Sequence, residues 1–166
     1  GTGHAVQQAV PHLPDTGTTL VLNGDVPLID PATVAALVAA CGGARLALLT
    51  VELADPTGYG RIVRDGQGRV QAIVEHKDAT PAQREIREIY SGILAAPTAW
   101  LKRAVTALRN DNAQKEYYLT DIVAAAVAEG LPVQATLARD ETEVLGINSP
   151  AQLADLERRF QRRQAD

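Results

Sequence analysis

Apolar and polar positions follow two different periods along this chain. Thr18–Asn23 (TTLVLN) and Ala44–Leu53 (ARLALLTVEL) are short, continuous apolar runs, the pattern of strands buried on both faces. Between them Asp30-Pro31-Ala32-Thr33 opens a helix, with Asp30 as N-cap and Pro31 in the first turn. That helix runs to Cys41 and stops at Gly42-Gly43. Strand, helix and strand in this order predict a right-handed crossover in a parallel, doubly wound sheet. Ahead of them, Ala5–Leu13 reads as a short helix interrupted near Pro11.

The middle of the chain changes character. Gly60–Arg64 and Arg69–Glu75 are strand-like and are joined by Asp65-Gly66-Gln67-Gly68, a hairpin signal. Glu88–Ala95 (EIYSGILA) predicts another strand. Pro97–Leu108 and Leu119–Glu129 predict helices, the second with Thr120 as N-cap and Gly130 as its stop. Pro132–Leu137 and Glu143–Ile147 predict strands. Ser149 then caps a last helix with Pro150 at its first position, running to about Gln164. The sum is an α/β layer sandwich, mostly parallel, with an inserted β-hairpin region and no internal repeat.

Composition narrows the chemistry. The 166 residues are 46% hydrophobic and only 4% aromatic, so the core is built from small aliphatic side chains. A net charge of −4 argues against a general nucleic-acid-binding surface. The one strong basic cluster, Arg158, Arg159, Arg162 and Arg163, falls near the end of the last helix, where cations complement the helix dipole. A single cysteine, Cys41, excludes an internal disulfide and a thiolate metal cluster and suits a cytoplasmic protein. No run reaches the roughly 18 apolar residues of a membrane span. The chain opens Gly1-Thr2-Gly3-His4 with neither Met nor a leader, which reads as a segment cut from a longer protein.

Several polar residues stand at strand ends. Asp25 follows a strand, beside Gly24. Ligands in open α/β sheets bind beyond such carboxyl ends, and a carboxylate there suits Mg2+, which takes one or two protein oxygens and leaves the rest to water and phosphate. A turn-capping role fits Asp25 equally well. Asn148 follows the strand predicted at 143–147; it offers a second oxygen, or simply the entry to the last helix. Gly58-Tyr59-Gly60-Arg61 is a glycine-flanked turn that allows close approach of a ligand. Glu75-His76-Lys77-Asp78 ends a strand with four polar groups: Glu75 suits sugar hydroxyls and Lys77 a phosphate, unless the segment is merely solvated. Tyr117 and Tyr118 stand at a helix entrance, where burial at the helix–sheet seam is the default. There is no Gly-x-Ser-x-Gly elbow, Walker A loop, His-Glu-x-x-His or complete dinucleotide fingerprint, and His4, His12 and His76 are too scattered for a metal cluster.

Six segments taken in order resemble one family. Gly1-Thr2-Gly3-His4-Ala5, Asn23-Gly24-Asp25-Val26-Pro27-Leu28, Asp55-Pro56-Thr57-Gly58-Tyr59-Gly60-Arg61-Ile62, Val74-Glu75-His76-Lys77-Asp78-Ala79, Glu116-Tyr117-Tyr118-Leu119-Thr120-Asp121 and Gly146-Ile147-Asn148 are similar to successive motifs of the N-acetylglucosamine-1-phosphate uridyltransferase domain of bacterial bifunctional enzymes. The resemblance implies a Rossmann-like nucleotidyltransferase fold. It implies uridylyl transfer from UTP to N-acetylglucosamine-1-phosphate, giving UDP-N-acetylglucosamine for cell-wall and lipopolysaccharide precursors. Carried over position by position, Gly1 and Thr2 border the uracil; Asn23, Gly24 and Asp25 line the nucleotide; Gly60 and Glu75 contact the sugar. Asp25 and Asn148 hold Mg2+, and Tyr118 and Thr120 shape the sugar end.

Two departures qualify the resemblance. Tyr90-Ser91-Gly92 stands where the family shows Asn, then Thr or Ser, then Gly, a change that bears on one expected polar contact to the ligand and leaves the strand undisturbed. The family's Gly-rich phosphate loop, with its Arg and Lys, and the strand that presents it lie upstream of Gly1. The resemblance therefore assigns no catalytic residue to this chain and predicts no turnover by the 166 residues alone. It divides them into a partial nucleotidyltransferase domain, 1–149, and a helix, 150–166, leading toward a β-helix acetyltransferase domain through which the full-length parent forms a homotrimer. Another sugar-1-phosphate nucleotidylyltransferase, or a non-catalytic nucleotide-sugar-binding module, are the alternative readings.

Overall fold

The computed structural model describes residues 1–147 and 149–165. Six strands form one sheet: β1 (Thr18–Val21), β2 (Leu46–Glu52), β3 (Arg61–Arg64), β4 (Val70–Val74), β5 (Glu88–Pro97) and β6 (Val133–Leu137). The helices are α1 (Thr2–Ala9), α2 (Pro31–Cys41), α3 (Pro81–Arg84), α4 (Thr98–Thr106), α5 (Ile122–Glu129) and α6 (Pro150–Ala165). The hydrogen-bonded order is β4-β3-β5-β2-β6, with β1 also paired to β5.

The sheet is mixed. β1, β2, β3 and β6 point one way and β4 and β5 the other, so most strands share a direction, as expected. Only the β2–β6 pairing is parallel, however. The strands before and after α2 run in the same direction but do not touch, because β5 lies antiparallel between them.

Local chemistry accounts for the elements that the sequence predicts. The Asp30 carboxylate accepts from the Ala32 amide at 2.8 Å, and Gly42 ends α2 at φ 51° with its amide donating to Val38, the left-handed cap that a β-carbon disfavours. In the β3–β4 hairpin, Asp65 accepts from the backbone of Gln67 and Arg69 at 2.9 Å each. Ser149 caps α6 by accepting from the Gln152 amide at 3.2 Å, with Pro150 first in the helix as expected.

β2 carries the core. Its side chains alternate between two apolar layers: Leu46 and Leu48 meet Ile62, Leu94, Trp100, Leu101 and Ile122 under α4 and α5, whereas Ala47, Leu49 and Val51 meet Leu37, Cys41, Ile89 and Ile93 under α2. A period of two on a strand covered by helices on both faces requires this continuous apolar sequence. β1 departs from its expectation. Its four residues are only half-buried, because its outer edge has no strand partner among the described residues.

Two further expectations give way to tertiary structure. Glu143–Ile147 is not a strand. Residues Glu141–Val144 form a 3-10 turn, capped by Asp140 accepting from the Thr142 amide at 2.9 Å, and the buried Glu143 accepts from Thr33 Oγ1 at 2.6 Å. Leu119–Asp121 is likewise a 3-10 turn before α5, and Thr120 caps nothing; its hydroxyl is engaged elsewhere.

Candidate functional site

β5 is where the sheet splits. β2 pairs along one side of it, from Ala47 opposite Ala95 to Glu52 opposite Glu88. Its other side is shared: β1 pairs with residues 94–97, while β3 begins at Arg61 opposite Ile89. The space between the end of β1 and the start of β3 falls at a bulge, where Leu49 alone faces Ser91, Gly92 and Ile93 between the flanking pairs Leu48–Leu94 and Thr50–Tyr90. Ser91 Oγ donates to the Leu49 carbonyl at 2.7 Å, and Gly92 adopts φ 90°. Bulges re-aim side chains and end pairing, and they gather beside functional sites.

A cleft of about 640 Å3 opens at this gap. Thr2 and Val6 of α1, β1 and the following Leu22-Asn23, the turn Gly58-Tyr59-Gly60, Glu75 at the end of β4, Tyr90-Ser91-Gly92 of the bulge, and Leu119-Thr120 all border it. Its α1–β1 wall is apolar, and its β4–β5 end is polar.

That polar end is tightly arranged. Thr120 Oγ1 donates to Glu75 Oε1 at 2.9 Å. A β-carbon at Gly60 would stand 2.8 Å from Ile73 Cγ2 and 3.6 Å from both Glu75 carboxylate oxygens, so only glycine leaves this approach open. The Gly60 carbonyl accepts from the Tyr90 amide at 2.9 Å, which fixes the turn against β5. Asn23 Nδ2 reaches the Ser91 carbonyl at 3.5 Å. Tyr90 is buried, and its hydroxyl has no hydrogen-bond partner among the described residues.

Charge at this end is negative. Burial raises the Glu75 carboxyl above its ordinary range; the Thr120 hydrogen bond opposes this, and the charges of Asp121 and Asp78 reinforce it. Asp121 is raised as well, first by burial and then by Asp78. Burial, with Glu75 adding, pushes the Tyr90 hydroxyl far above an ordinary phenol. Lys77, a candidate for phosphate, is directed elsewhere: its ammonium donates to Gln114 Oε1 at 2.9 Å. Gln114 in turn donates to the Tyr118 hydroxyl at 3.0 Å, and Tyr118 donates to Asp78 at 3.1 Å. This network ties the 112–118 loop to the end of β4.

Thr2, Asn23, Gly60, Glu75 and Thr120, five of the ten residues to which the resemblance gives a role, therefore border one cleft. Gly1 lies off its lining, against Glu116 and Tyr117. Gly24 and Asp25 are exposed just beyond β1. The Asp25 carbonyl accepts from the Ile147 amide at 2.9 Å, which binds the chain before residue 148 to the turn after β1. Asn148 itself lies outside the described residues. Tyr118 is buried, as its place at a helix entrance predicts, and does not line the cleft. Sequence reasoning missed Val6, Leu22 and Leu119, whose apolar character carries no chemical signal. It also passed over the bulge, for which a glycine inside an apolar strand was the one available sign.

Arg61 supports this site from below. It is 1% exposed and makes no direct ion pair among the described residues, Asp55 acting on it only through its charge; its guanidinium donates to the Tyr59 and Arg84 carbonyls and meets His76 Nδ1. Burial pulls its pKa down.

The geometry agrees with what is similar to this chain. Residues 1–144 match the family model for nucleotidyl transferases. The bifunctional protein GlmU of Methylibium petroleiphilum is 68% identical over 169 residues, covering all of this chain and 37% of that protein. GlmU of Polaromonas naphthalenivorans is 62% identical over 99% of this chain and 36% of its own length. The chain thus spans just over a third of the curated relatives it matches. Among solved structures, CMP:2-keto-3-deoxy-manno-octonic acid synthetase complexed with CTP superposes with a TM-score of 0.67 at 13% identity, over 98% of this chain and 69% of that one; this likeness speaks for the fold alone. By the family match over residues 1–144, the chain belongs to the nucleotidyl transferase family.

Proposed function

We propose that the cleft at the split edge of β5 holds a uridine nucleotide sugar, and that the chain forms the sugar-binding part of a site for uridylyl transfer from UTP to N-acetylglucosamine-1-phosphate. The observation that carries this reading is the convergence of Asn23, Gly60, Glu75 and Thr120, from four separated segments, on one cleft. The identity to the two GlmU proteins supports it.

A phosphate oxygen of the sugar-1-phosphate attacks the α-phosphorus of UTP. One phosphorus–oxygen bond forms, the bond to the β-phosphate oxygen breaks, and pyrophosphate leaves with that electron pair. Such a step is accelerated by alignment and by charge neutralisation. Glu75 and Gly60 hold the sugar and thereby aim its phosphate, while Asn23 and Thr2 hold the nucleotide.

Asp25 fits a divalent cation in chemical type: an exposed carboxylate past a strand end, with room for water and phosphate oxygens. With Asn148 it would offer two hard oxygen donors to Mg2+, which when bound supplies charge neutralisation at the phosphates.

The test is pyrophosphate release by a full-length protein carrying this chain. Mg2+-dependent release is expected from UTP with N-acetylglucosamine-1-phosphate, and loss of it on Asp25→Ala with the fold retained. Release only with another nucleotide or sugar phosphate would contradict the substrate assignment, and none with any pair would contradict the reaction.

A further inference from the structure

Thr142, Glu143 and Val144 are consecutive and all buried, and each is held from a different direction. Thr142 Oγ1 accepts from Arg159 of α6 at 3.2 Å. Glu143 accepts from Thr33, in the first turn of α2, at 2.6 Å. Val144 joins Val26 in the apolar layer under α2. Three residues further on, the Ile147 amide donates to the Asp25 carbonyl at 2.9 Å. Residues 143–147 are thus a strap that grips the connection between β1 and α2 twice, once at Asp25 and once at Thr33, with Val26 and Val144 packed in the same layer.

Glu143 is the member of this strap whose chemistry needs a reason. It is 4% exposed, and taking a carboxylate out of water is costly. Thr33 offers one hydroxyl, and the positive end of α2 favours the charge; the side chain makes no other hydrogen bond or ion pair among the described residues. An apolar side chain, like that of Val144 beside it, would be buried more easily. What the carboxylate adds is direction. Apolar contact tolerates sliding, whereas a short charge-assisted hydrogen bond fixes distance and angle. Asp25 is exposed, so its place depends on the backbone that carries it, and that backbone is set by the strap.

Resting on the uridylyltransferase reading and its cation at Asp25, we propose that Glu143 is a positioning residue: through Thr33 and the strap it fixes the turn after β1, so that the Asp25 carboxylate meets a divalent cation already oriented. Glu143 itself touches neither the cation nor the substrates.

The probe is Mn2+, which hard oxygen donors bind as they bind Mg2+ and whose free form is counted by electron paramagnetic resonance. A full-length protein carrying this chain is titrated with Mn2+ in the presence of UDP-N-acetylglucosamine, as wild type, as Glu143→Gln and as the double variant Thr33→Val with Glu143→Met. Asp25→Ala gives the baseline for ions held elsewhere. Calorimetry in metal-free buffer gives the affinity for UDP-N-acetylglucosamine alone. The double variant exchanges the hydrogen bond for apolar contact, so it should melt no lower than wild type yet hold Mn2+ about 10-fold more weakly, with its metal-free affinity for UDP-N-acetylglucosamine unchanged. Glu143→Gln keeps an acceptor for Thr33 and should hold Mn2+ as wild type does. Unchanged Mn2+ affinity in the double variant, or the same weakening in Glu143→Gln, overturns the inference. Equal weakening of Mn2+ and of metal-free ligand binding overturns it too, because a generally loosened site would give that result. If wild type holds no more Mn2+ than Asp25→Ala, the cation assignment above fails and this inference falls with it.

Discussion

Asn23 and Gly92 occupy each other's space: a β-carbon on residue 92 would overlap the Asn23 side-chain amide. One residue ends the stretch after β1 and the other forms the bulge of β5, so this contact sets the width of the cleft where the two meet.

Gly92→Ala should therefore be costly twice over. The backbone at φ 90° disfavours any β-carbon, and the methyl group displaces Asn23. A loss of about 1–3 kcal/mol is expected, read as a lower melting temperature, together with weakened binding of UDP-N-acetylglucosamine. A variant as stable as wild type would mean that the bulge is more compliant than its geometry implies.

Glu75 makes the site pH-sensitive in a definite direction. Its carboxyl is raised in the folded state, so the folded chain holds this proton more tightly than the unfolded chain. The resulting stabilisation is full below the ordinary carboxyl pKa and is lost as pH rises through the folded value. Glu75→Gln removes the dependence. Its melting temperature relative to wild type should be higher at pH 8 than at pH 4, while its affinity for the sugar nucleotide falls. A difference independent of pH would contradict the assignment.

Glu88 has the opposite sign. Arg64 holds it through two hydrogen bonds, at 2.7 and 2.8 Å, and Thr50 through one at 2.9 Å. Those bonds, the Arg64 hydrogen bonds foremost, keep its carboxyl below the ordinary range. The stabilisation is present above the unfolded pKa and lost as pH falls through the folded one. Arg64 is partly exposed, so Arg64→Met should cost only about 1 kcal/mol at pH 7, with the difference shrinking below pH 4 in acid-unfolding curves.

Arg61→Met tests the support beneath the site. The guanidinium joins the turn before β3, His76 and α3. Its loss leaves the Tyr59 and Arg84 carbonyls without that donor, and about 1–3 kcal/mol of destabilisation is expected in denaturant titrations.

These residues also mark how far sequence alone reaches. α2 was legible because Asp30, Pro31 and Gly42 each have a local reason to stand where they do, and the β3–β4 hairpin because Asp65 closes its own turn. The position of β5 was not legible. An antiparallel strand inserted between β1 and β2 depends on pairing across tens of residues, and EIYSGILA is an apolar run that any central strand could carry. Thr120 and Glu143 show the same limit. From sequence Thr120 reads as a helix cap and Glu143 as part of a strand, because their partners, Glu75 and Thr33, are distant along the chain. Asn23, Gly60 and Glu75 meet in one cleft because they stand at the ends of strands, where the topology brings distant segments together, while Thr2 reaches it from the start of α1 and Thr120 from the turn before α5.

The central claim is that the gap in the edge of β5 is the sugar end of a nucleotide-sugar site. Its most direct test is a crystal structure of a full-length protein carrying this chain with UDP-N-acetylglucosamine and Mg2+. The sugar ring is expected between Gly60, Glu75 and Tyr90, with the nucleotide toward Asn23 and Thr2. A sugar bound away from Glu75, or a phosphate in its place, would contradict it.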